Sequence, residues 1–284
     1  MLLAGGKMTA FDAPIVFGLL GPLLVSDPHG AAIQIPQAKQ RIVMAALLLK
    51  ANTTVSCGQL AEALWEDQAP PNASATIRTY VARLRRALGP MGTRLVSRPS
   101  GYAIEVHEAA ELDLRRLECL RSEMREASDA GHWERVALTS EKALDLWRGI
   151  PLEDIPSPAL CRSVGAGLDE LRLQLVTSRI DAELFLGQEH HVVAELRQLA
   201  DEHPLREHIQ ARLALAYYRC GRQAEALDVC LRARASLVDE LAVEPGPELR
   251  QLYQHILTAN PVLDSTLALS SALTVGRTPR GVWQ

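Results

Sequence analysis

The 284-residue sequence contains no long apolar run, few aromatic residues and only five cysteines. No uninterrupted apolar stretch approaches the ~20 residues that a transmembrane helix needs, which excludes a membrane-spanning protein. We expect no membrane partner. Because the first residues lack a basic leader followed by an apolar core, we expect a cytoplasmic protein. The cysteines are odd in number and include no C-x-x-C pair, which favours buried free thiols over a disulfide or zinc framework.

Sequence motifs of common enzyme classes are also missing. There is no G-x-x-x-x-G-K-[ST] phosphate loop, no H-E-x-x-H zinc motif and no G-x-S-x-G nucleophile elbow. His190 and His191 form one histidine pair, and His203 with His208 forms another. Neither pair has Cys or carboxylate partners at ligand spacing, which favours surface or helix-end histidines over a metal site. We therefore expect no enzymatic activity, no cofactor and no bound metal.

Charge is distributed unevenly along the chain. The net charge is -4, but residues 1–108 carry ten Lys or Arg against seven Asp or Glu, a balance of +3 that leaves -7 for residues 109–284. Residues 68–104 contain no carboxylate and six arginines, namely Arg78, Arg83, Arg85, Arg86, Arg94 and Arg98. Such a segment is typical of a surface that approaches phosphates. The alternative is a solvated basic face.

Short apolar runs near the N-terminus predict strands followed by helices. The runs at 15–20, 23–25 and 32–35 are separated by turn-forming residues and indicate short antiparallel strands. Apolar residues then recur with helical spacing over 36–51 and predict a first helix. A capping-box pattern at 56–59 predicts the start of a second helix.

The third predicted helix begins at Asn72 or Ser74 and ends before Gly89. At 100° per residue its two faces separate cleanly. The apolar stripe consists of Ile77, Val81, Leu84 and Leu88. The outward face and flanks include Thr79, Ala82, Arg83, Arg86, Arg78 and Arg85. Because an ordinary amphipathic helix mixes acidic residues into its exposed side and this one has none, the pattern favours contact with a DNA groove.

A hairpin is predicted after the third helix. Residues 95–98 and 102–106 indicate two strands, and the turn residues 99–101 join them. Arg98 lies at the tip, where a guanidinium group can enter the minor groove of DNA. The hairpin pattern by itself fits a DNA-binding wing and a plain surface hairpin equally well.

This order of elements resembles the winged-helix DNA-binding domain of response regulators and of the Streptomyces antibiotic regulatory proteins. The matching segments are residues 17–23, 64–65, 78–88 and 101–102. The resemblance implies that the tryptophan ending the second helix supports or touches the phosphate backbone, that the third helix contacts DNA, and that the wing lies across the adjacent minor groove. The implied DNA-binding residues are Trp65, Arg78, Thr79, Arg83, Arg85, Arg86 and Arg98. The sequence departs from the pattern at Glu66, where a glycine often follows the tryptophan, and at Pro99-Ser100, which interrupts the Arg-Gly wing.

From about Leu112 the sequence predicts helices with almost no strand signal. Turns at Gly187 and Gly221 lie 34 residues apart, which is the period of tetratricopeptide helix pairs. Residues 221–227 and 241–247 resemble the bacterial transcriptional activation domain of the same antibiotic regulators. The expected fold is mainly α, with an N-terminal winged helix-turn-helix that has a small β-sheet and a wing hairpin, then an all-α tetratricopeptide-like domain. The predicted segments are a flexible N-terminus (1–14), the winged helix (15–108), the helical domain (109–260) and a flexible tail (261–284).

The resemblance implies a sequence-specific transcriptional activator of an antibiotic or other secondary-metabolite gene cluster. Its expected partners are double-stranded DNA with direct repeats in a promoter, a second copy of the chain on that DNA, and RNA polymerase holoenzyme. Such a protein would be cytoplasmic and associated with the nucleoid. The competing hypothesis is a tetratricopeptide-like adaptor whose basic N-terminal module docks an acidic protein. The outward face of the third helix separates the two hypotheses and favours DNA.

Overall fold

The computed structural model describes residues 16–27 and 29–264, and these separate into two compact units. The first unit comprises the chain up to Glu123 together with Lys142–Arg172, and the second comprises Met124–Glu141 together with the chain from Leu173 onward. The predicted flexible N-terminus (1–14) and most of the predicted tail (265–284) lie outside the described residues. The first unit thus combines the predicted winged-helix region with a segment that occurs later in the sequence.

Two small antiparallel sheets belong to the first unit. In one, β1 (Phe17–Gly18) pairs with β2 (Leu24–Val25); in the other, the strand order is β3 (Val55–Ser56), β5 (Gly101–Ile104) and β4 (Leu95–Arg98). A Cβ atom on Gly101 would lie 2.0 Å from the carbonyl oxygen of Val55, so a glycine is needed where β5 meets β3. The hairpin of β4 and β5 confirms the predicted wing-like hairpin.

The predicted strand at 32–35 is wrong in extent. Only Ala32 forms a bridge, with Ser26, although the amide of Ile33 also donates to the carbonyl of Val25 at 2.8 Å. Pro36 has no amide hydrogen to continue the ladder, and the chain turns into the first helix two residues later.

Three helices form the rest of the predicted winged helix: α1 (Ala38–Leu49), α2 (Cys57–Trp65) and α3 (Ala73–Ala87). The capping box that begins α2 is confirmed, because the hydroxyl of Ser56 accepts from the amide of Gln59 at 3.2 Å and the Gln59 side chain accepts from the amide of Ser56 at 3.0 Å. Since Ser56 also belongs to β3, the start of α2 is tied to the wing sheet.

The inward stripe of α3 is confirmed. Its four apolar members are each at most 1% exposed: Ile77, Val81, Leu84 and Leu88. Asn72 precedes the helix without a capping hydrogen bond from its side chain. A 3-10 turn, Gly89–Arg94, then leads directly into β4. Burial of one face therefore fixes the rotation of α3 and leaves the opposite face exposed.

Residues from the segment 142–172 pack against the β1–β2 connection within the first unit. The amide of Arg148 donates to the carbonyl of Leu20 at 2.7 Å, and the amide of Leu152 donates to the carbonyl of Gly21 at 3.0 Å. The carboxylate of Asp154 accepts from the amide of Leu23 at 2.7 Å. These bonds satisfy backbone groups that the two-residue strands leave unpaired.

Asp113 supports the same region from the start of the helical sequence. Its side chain is fully buried, and Oδ2 accepts from the amides of Leu19 at 2.6 Å and Leu20 at 2.8 Å, with a guanidinium nitrogen of Arg148 at 3.5 Å. Burial raises the pKa of Asp113, although these hydrogen bonds and the charge of Arg148 oppose the rise. Leu19 and Leu20 lie more than 90 residues before Asp113 in the chain, so no local sequence pattern indicates these partners.

The described chain from Asp113 onward is helical. Its helices are α4 (Asp113–Asp129), α5 (Trp133–Leu144), α6 (Pro158–Phe185), α7 (Glu189–Glu202), α8 (Glu207–Arg219), α9 (Gln223–Leu241) and α10 (Pro247–Leu257). A final 3-10 turn, Pro261–Asp264, follows residue 260, the predicted limit of the helical domain, and buries Leu263. None of the helices in the described ranges is long and apolar enough to cross a membrane.

The second unit has the predicted tetratricopeptide-like arrangement of helix pairs. The pairs α7–α8 and α9–α10 begin 34 residues apart, at Glu189 and Gln223. Gly187 and Gly221 take positive φ values of 71° and 76° before these starts, a conformation that glycine adopts at little cost. Every residue of α8 from 209 to 217 is buried, which places this helix at the centre of the unit's core.

Candidate nucleic-acid interface

The outward side of α3 is basic and free of carboxylates along the whole helix. Arg78, Thr79, Arg83 and Arg86 are all exposed there. Within the described residues, no hydrogen-bond or ion-pair partner holds the guanidinium groups of Arg78 and Arg86. The helix therefore presents unneutralised positive charge on the side opposite its buried stripe, which is the arrangement that phosphate binding requires.

Arg83 and Thr79 each make one local contact. A guanidinium nitrogen of Arg83 lies 3.3 Å from the side-chain oxygen of Gln37, the residue that precedes α1, and Gln40 also donates to that oxygen at 2.7 Å. The hydroxyl of Thr79 donates to the carbonyl of Ala75 at 3.1 Å, as threonine commonly does in helices. Sequence reasoning missed Gln37, because its partner is 46 residues away.

Trp65 is the last residue of α2 and is partly buried. The ammonium group of Lys39 lies 5.9 Å from the centroid of the indole ring and donates to the carbonyl of Leu64. Lys39 therefore neutralises part of the negative end of α2 while it contacts the tryptophan. The sequence carried no signal for this pairing, since lysine at the start of a helix is ordinary.

Glu66 shows why a glycine often follows the tryptophan. Its backbone has φ 52° and ψ -126°, a conformation that is costly for residues with a Cβ atom. The carboxylate of Glu66 is paired with Arg162 at 2.9 Å, and both side chains are exposed. An exposed pair of this kind contributes at most about 1 kcal/mol.

Arg98 ends β4 next to the two-residue turn Pro99-Ser100. Its guanidinium group contacts the carboxylate of Glu105 at 3.1 Å, and the Arg98 side chain remains 51% exposed. A weak surface pair can be exchanged for a phosphate contact. The structure thus places Arg98 at the wing tip, where the sequence predicted it.

Arg85 and Arg94 differ from the other four arginines of the basic segment. Arg85 is partly buried and binds the wing: its Nε donates to the carbonyl of Leu95 at 2.8 Å and its Nη2 donates to the hydroxyl of Ser97 at 3.0 Å. Arg94 forms a two-point pair with Glu111 at 2.8 and 3.0 Å. Burial raises the pKa of Glu111, but the hydrogen bond and charge of Arg94 and the amides of His107 and Glu108 outweigh it, so the pKa is lowered overall.

The histidines and cysteines are the candidate metal and thiol groups of the chain. No group of three His, Cys, Asp or Glu is positioned there to hold a metal ion. His190 does meet a thiol, that of Cys220, at 3.5 Å from its Nδ1. All five cysteines are free, but the prediction of burial is right only for Cys230 and wrong for Cys119, which is exposed. Burial raises the pKa of the Cys230 thiol to about 12, which makes it unreactive at neutral pH.

Three helices, a wing hairpin and an exposed, carboxylate-free basic helix define a winged-helix regulator with an attached helical domain. Residues 34–104 match the family model described as Transcriptional regulatory protein, C terminal, and residues 112–257 match the model described as Bacterial transcriptional activator domain. The chain belongs to the Streptomyces antibiotic regulatory protein family of transcriptional regulators.

Individual relatives agree with this family assignment. The chain is 42% identical to the regulatory protein AfsR of Streptomyces coelicolor over 265 residues, which cover 93% of this chain and 26% of AfsR. It therefore spans about a quarter of the length of that relative. It is 32% identical to the regulatory protein DnrI of Streptomyces peucetius over 255 residues, which cover 87% of this chain and 93% of DnrI.

A solved structure has the same fold. The structure of Mycobacterium tuberculosis EmbR in complex with a low affinity phosphopeptide matches this chain with a TM-score of 0.84 and 34% sequence identity. The match covers 92% of this chain and 68% of the EmbR chain. This likeness confirms the predicted fold class of a winged helix followed by a helical domain.

Proposed function

We propose that this chain is a sequence-specific DNA-binding transcriptional activator whose helix α3 enters the major groove. The observation that carries the proposal is the carboxylate-free outward face of α3, opposite a stripe of residues that are at most 1% exposed. Small exposed residues, Ala75 and Ala82, lie on the same outward side and let the helix axis approach the base edges.

The proposed contacts follow from the placement of each side chain. Arg78, Arg83 and Arg86 are suited to guanine edges or phosphates, since guanidinium groups bind both in a bidentate manner. Because the Thr79 hydroxyl is already used within the helix, its proposed contact is between its methyl group and that of a thymine.

Two further contacts lie outside α3. Trp65, held by Lys39 at the end of α2, is proposed to lie against the phosphate backbone. Arg98 at the wing tip is proposed to enter the adjacent minor groove, whose negative potential attracts guanidinium groups. With the α3 residues, these side chains form one proposed footprint of helix, phosphate backbone and wing.

Fluorescence anisotropy with a duplex taken from upstream of the chain's own gene tests the footprint. Arg83→Ala should weaken binding by about 1–3 kcal/mol if Arg83 contacts a base, with little change in thermal stability. Arg232→Ala is the matched control, because Arg232 is an exposed arginine on α9 that pairs with Asp228. Equal affinities for the two variants and the wild-type chain would remove Arg83 from the site.

The rotation of α3 is tested separately by Leu84→Asp. Leu84 is fully buried, so a charge at this position should unfold the first unit rather than only weaken DNA binding. A folded Leu84→Asp protein that still binds DNA would show that the outward face of α3 has been assigned to the wrong side of the helix.

The proposal extends to two copies bound side by side on direct repeats. Helix α3 has 15 residues and is about 22 Å long, so it reads only a few base pairs of one major groove. A second copy supplies the specificity that one helix lacks. The net charge of -7 over residues 109–284 disfavours wrapping of that part onto DNA, which leaves its surfaces free for protein partners.

We further propose that the bound pair recruits RNA polymerase holoenzyme and activates an antibiotic or other secondary-metabolite gene cluster. Family membership and the match of residues 112–257 to a transcriptional activator domain support this step. Transcription with purified holoenzyme from a template that carries the bound duplex should increase when the chain is added. If the chain binds the duplex but the amount of transcript does not increase, the proposal of DNA binding stands and the proposal of activation is wrong.

A further inference from the structure

Arg85 joins α3 to the wing through two nitrogen atoms of its guanidinium group. The Nε atom donates to the carbonyl oxygen of Leu95 at 2.8 Å, and Nη2 donates to the hydroxyl of Ser97 at 3.0 Å. Both acceptors belong to β4, the strand that ends at Arg98. The neighbouring Arg86 is exposed and has no such partner among the described residues.

The carbonyl of Leu95 needs this donor because β4 is an edge strand. In the strand order β3-β5-β4, only one side of β4 is paired. The carbonyl of Arg94, just before β4, accepts from the amide of Glu105, just after β5, at 2.8 Å. Since carbonyl directions alternate along a strand, that of Leu95 points away from β5, towards the open edge. Leu95 is only 1% exposed, so water does not replace a missing donor there.

The backbone of Arg85 is held as closely as its side chain. The 3-10 turn Gly89–Arg94 passes against the end of α3, and a Cβ atom on Gly92 would lie 2.3 Å from the carbonyl oxygen of Arg85. Main chain on one side and β4 on the other therefore fix the position of Arg85. Such a residue has little freedom to swing towards a phosphate.

We propose that Arg85 is a positioning residue that sets the wing relative to α3, and that it is not itself a DNA contact. The inference rests on the proposed DNA-binding function and revises the contact role that the family resemblance implied for Arg85. Arg98 lies three residues beyond Leu95, about 10 Å along an extended strand. The two hydrogen bonds of Arg85 therefore hold the start of β4, and Arg98 at the end of the same strand makes the proposed minor-groove contact.

A lysine substitution separates positioning from charge. Arg85→Lys keeps the positive charge but loses the planar fork that binds two acceptors, whereas Arg232→Lys makes the same change at an exposed arginine of α9, outside the proposed footprint. We expect Arg85→Lys to weaken binding of the upstream duplex about tenfold, and Arg232→Lys to leave it unchanged. A wild-type affinity for Arg85→Lys would overturn the proposal.

A double-mutant cycle with Arg98→Ala tests whether Arg85 acts through the wing. If it does, Arg85→Lys should cost less than about twofold in affinity in the Arg98→Ala background, because β4 then has no minor-groove contact that a shift of the strand could disturb. If the two losses multiply instead, Arg85 contacts DNA independently and the proposal is wrong. Ser97→Ala, which removes one acceptor and no charge, should show the same dependence on Arg98 and serves if Arg85→Lys does not fold.

Hydrogen exchange on the free protein provides a readout that does not depend on DNA. Arg85→Lys should speed exchange of the β4 and β5 amides and leave those of α1 unchanged, while Arg86→Lys should leave all three elements unchanged. Unaltered exchange in β4 and β5 would overturn the proposal that Arg85 holds the wing in position. If the wild-type chain fails to bind any duplex, the proposed function fails, yet the exchange experiment still decides whether Arg85 holds the wing.

Discussion

The hydroxyl of Ser157 donates a 2.6 Å hydrogen bond to the carbonyl oxygen of Ala63, which lies 94 residues earlier in the chain. Ala63 belongs to the last turn of α2, where helix carbonyls have no partner within the helix. Ser157 is 2% exposed, so the bond is shielded from water. A residue from the segment 142–172 therefore satisfies a carbonyl in the last turn of α2, the turn that positions Trp65.

Loss of this bond should destabilise the first unit. Ser157→Ala leaves the buried carbonyl of Ala63 without a donor, and we expect the free energy of unfolding to fall by about 1–3 kcal/mol. Urea denaturation followed by circular dichroism measures the change. Ser163→Ala is the control, because its hydroxyl bonds only the nearby carbonyl of Leu160 and is exposed. Equal midpoints for the two variants would show that the Ser157 bond contributes nothing to stability.

Binding to DNA should fall steeply with salt concentration. If about four to six phosphates are neutralised per subunit, the logarithm of the affinity falls against the logarithm of salt with a slope of about -3.5 to -5.5. Anisotropy titrations at several salt concentrations measure this slope. A nearly flat dependence would favour the protein-adaptor hypothesis over DNA binding.

Single arginine variants should change that slope selectively. Arg86→Ala should reduce its magnitude by about one, because an exposed phosphate contact is lost. Arg94→Ala should leave the slope unchanged and lower protein stability instead, since Arg94 is engaged by Glu111. A reduced slope in a folded Arg94→Ala protein would place Arg94 on the DNA.

Stability should depend on Glu111 at acidic pH. Its pKa is lower in the folded protein than in the unfolded chain, so its contribution is fully present above about pH 5 and is lost as the pH falls below the ordinary glutamate value of about 4.3. Glu111→Gln should lower the free energy of unfolding at pH 7 by about 1.5–3 kcal/mol and show a smaller further loss at low pH.

Urea midpoints measured between pH 3 and 7 give the comparison for Glu111. Glu118→Gln removes an exposed carboxylate of the same first unit and serves as the control. If wild-type and Glu111→Gln proteins lose stability in parallel on acidification, titration of Glu111 does not contribute.

Spacing of the DNA repeats should control cooperative binding. Repeats about 10 to 11 base pairs apart place both recognition helices on one side of the duplex. Inserting about five base pairs rotates one site to the opposite side, and we expect the loss of both cooperative binding and activation. Mobility shifts and transcription with purified polymerase measure the two effects. Transcription that survives the insertion would contradict the tandem arrangement.

Local sequence determined the helices and the orientation of α3. Helical periodicity identified the buried stripe that contains Ile77 and Leu84, and the capping box at Ser56 identified the start of α2. The glycine turns at Gly187 and Gly221 set the repeat of the helix pairs. These features depend on residues within a few positions of one another, so a sequence reveals them directly.

Only the tertiary structure decided which arginines remain available for a nucleic acid. The sequence shows six equivalent guanidinium groups. In the structure, however, Arg94 is bonded to Glu111, and Arg85 is bonded to β4, the strand that follows the 3-10 turn after α3. Likewise, Asp113 and Ser157 serve backbone groups more than 90 residues away. A charged or hydroxyl side chain takes the partner that folding brings within hydrogen-bond distance, and no local periodicity records that partner.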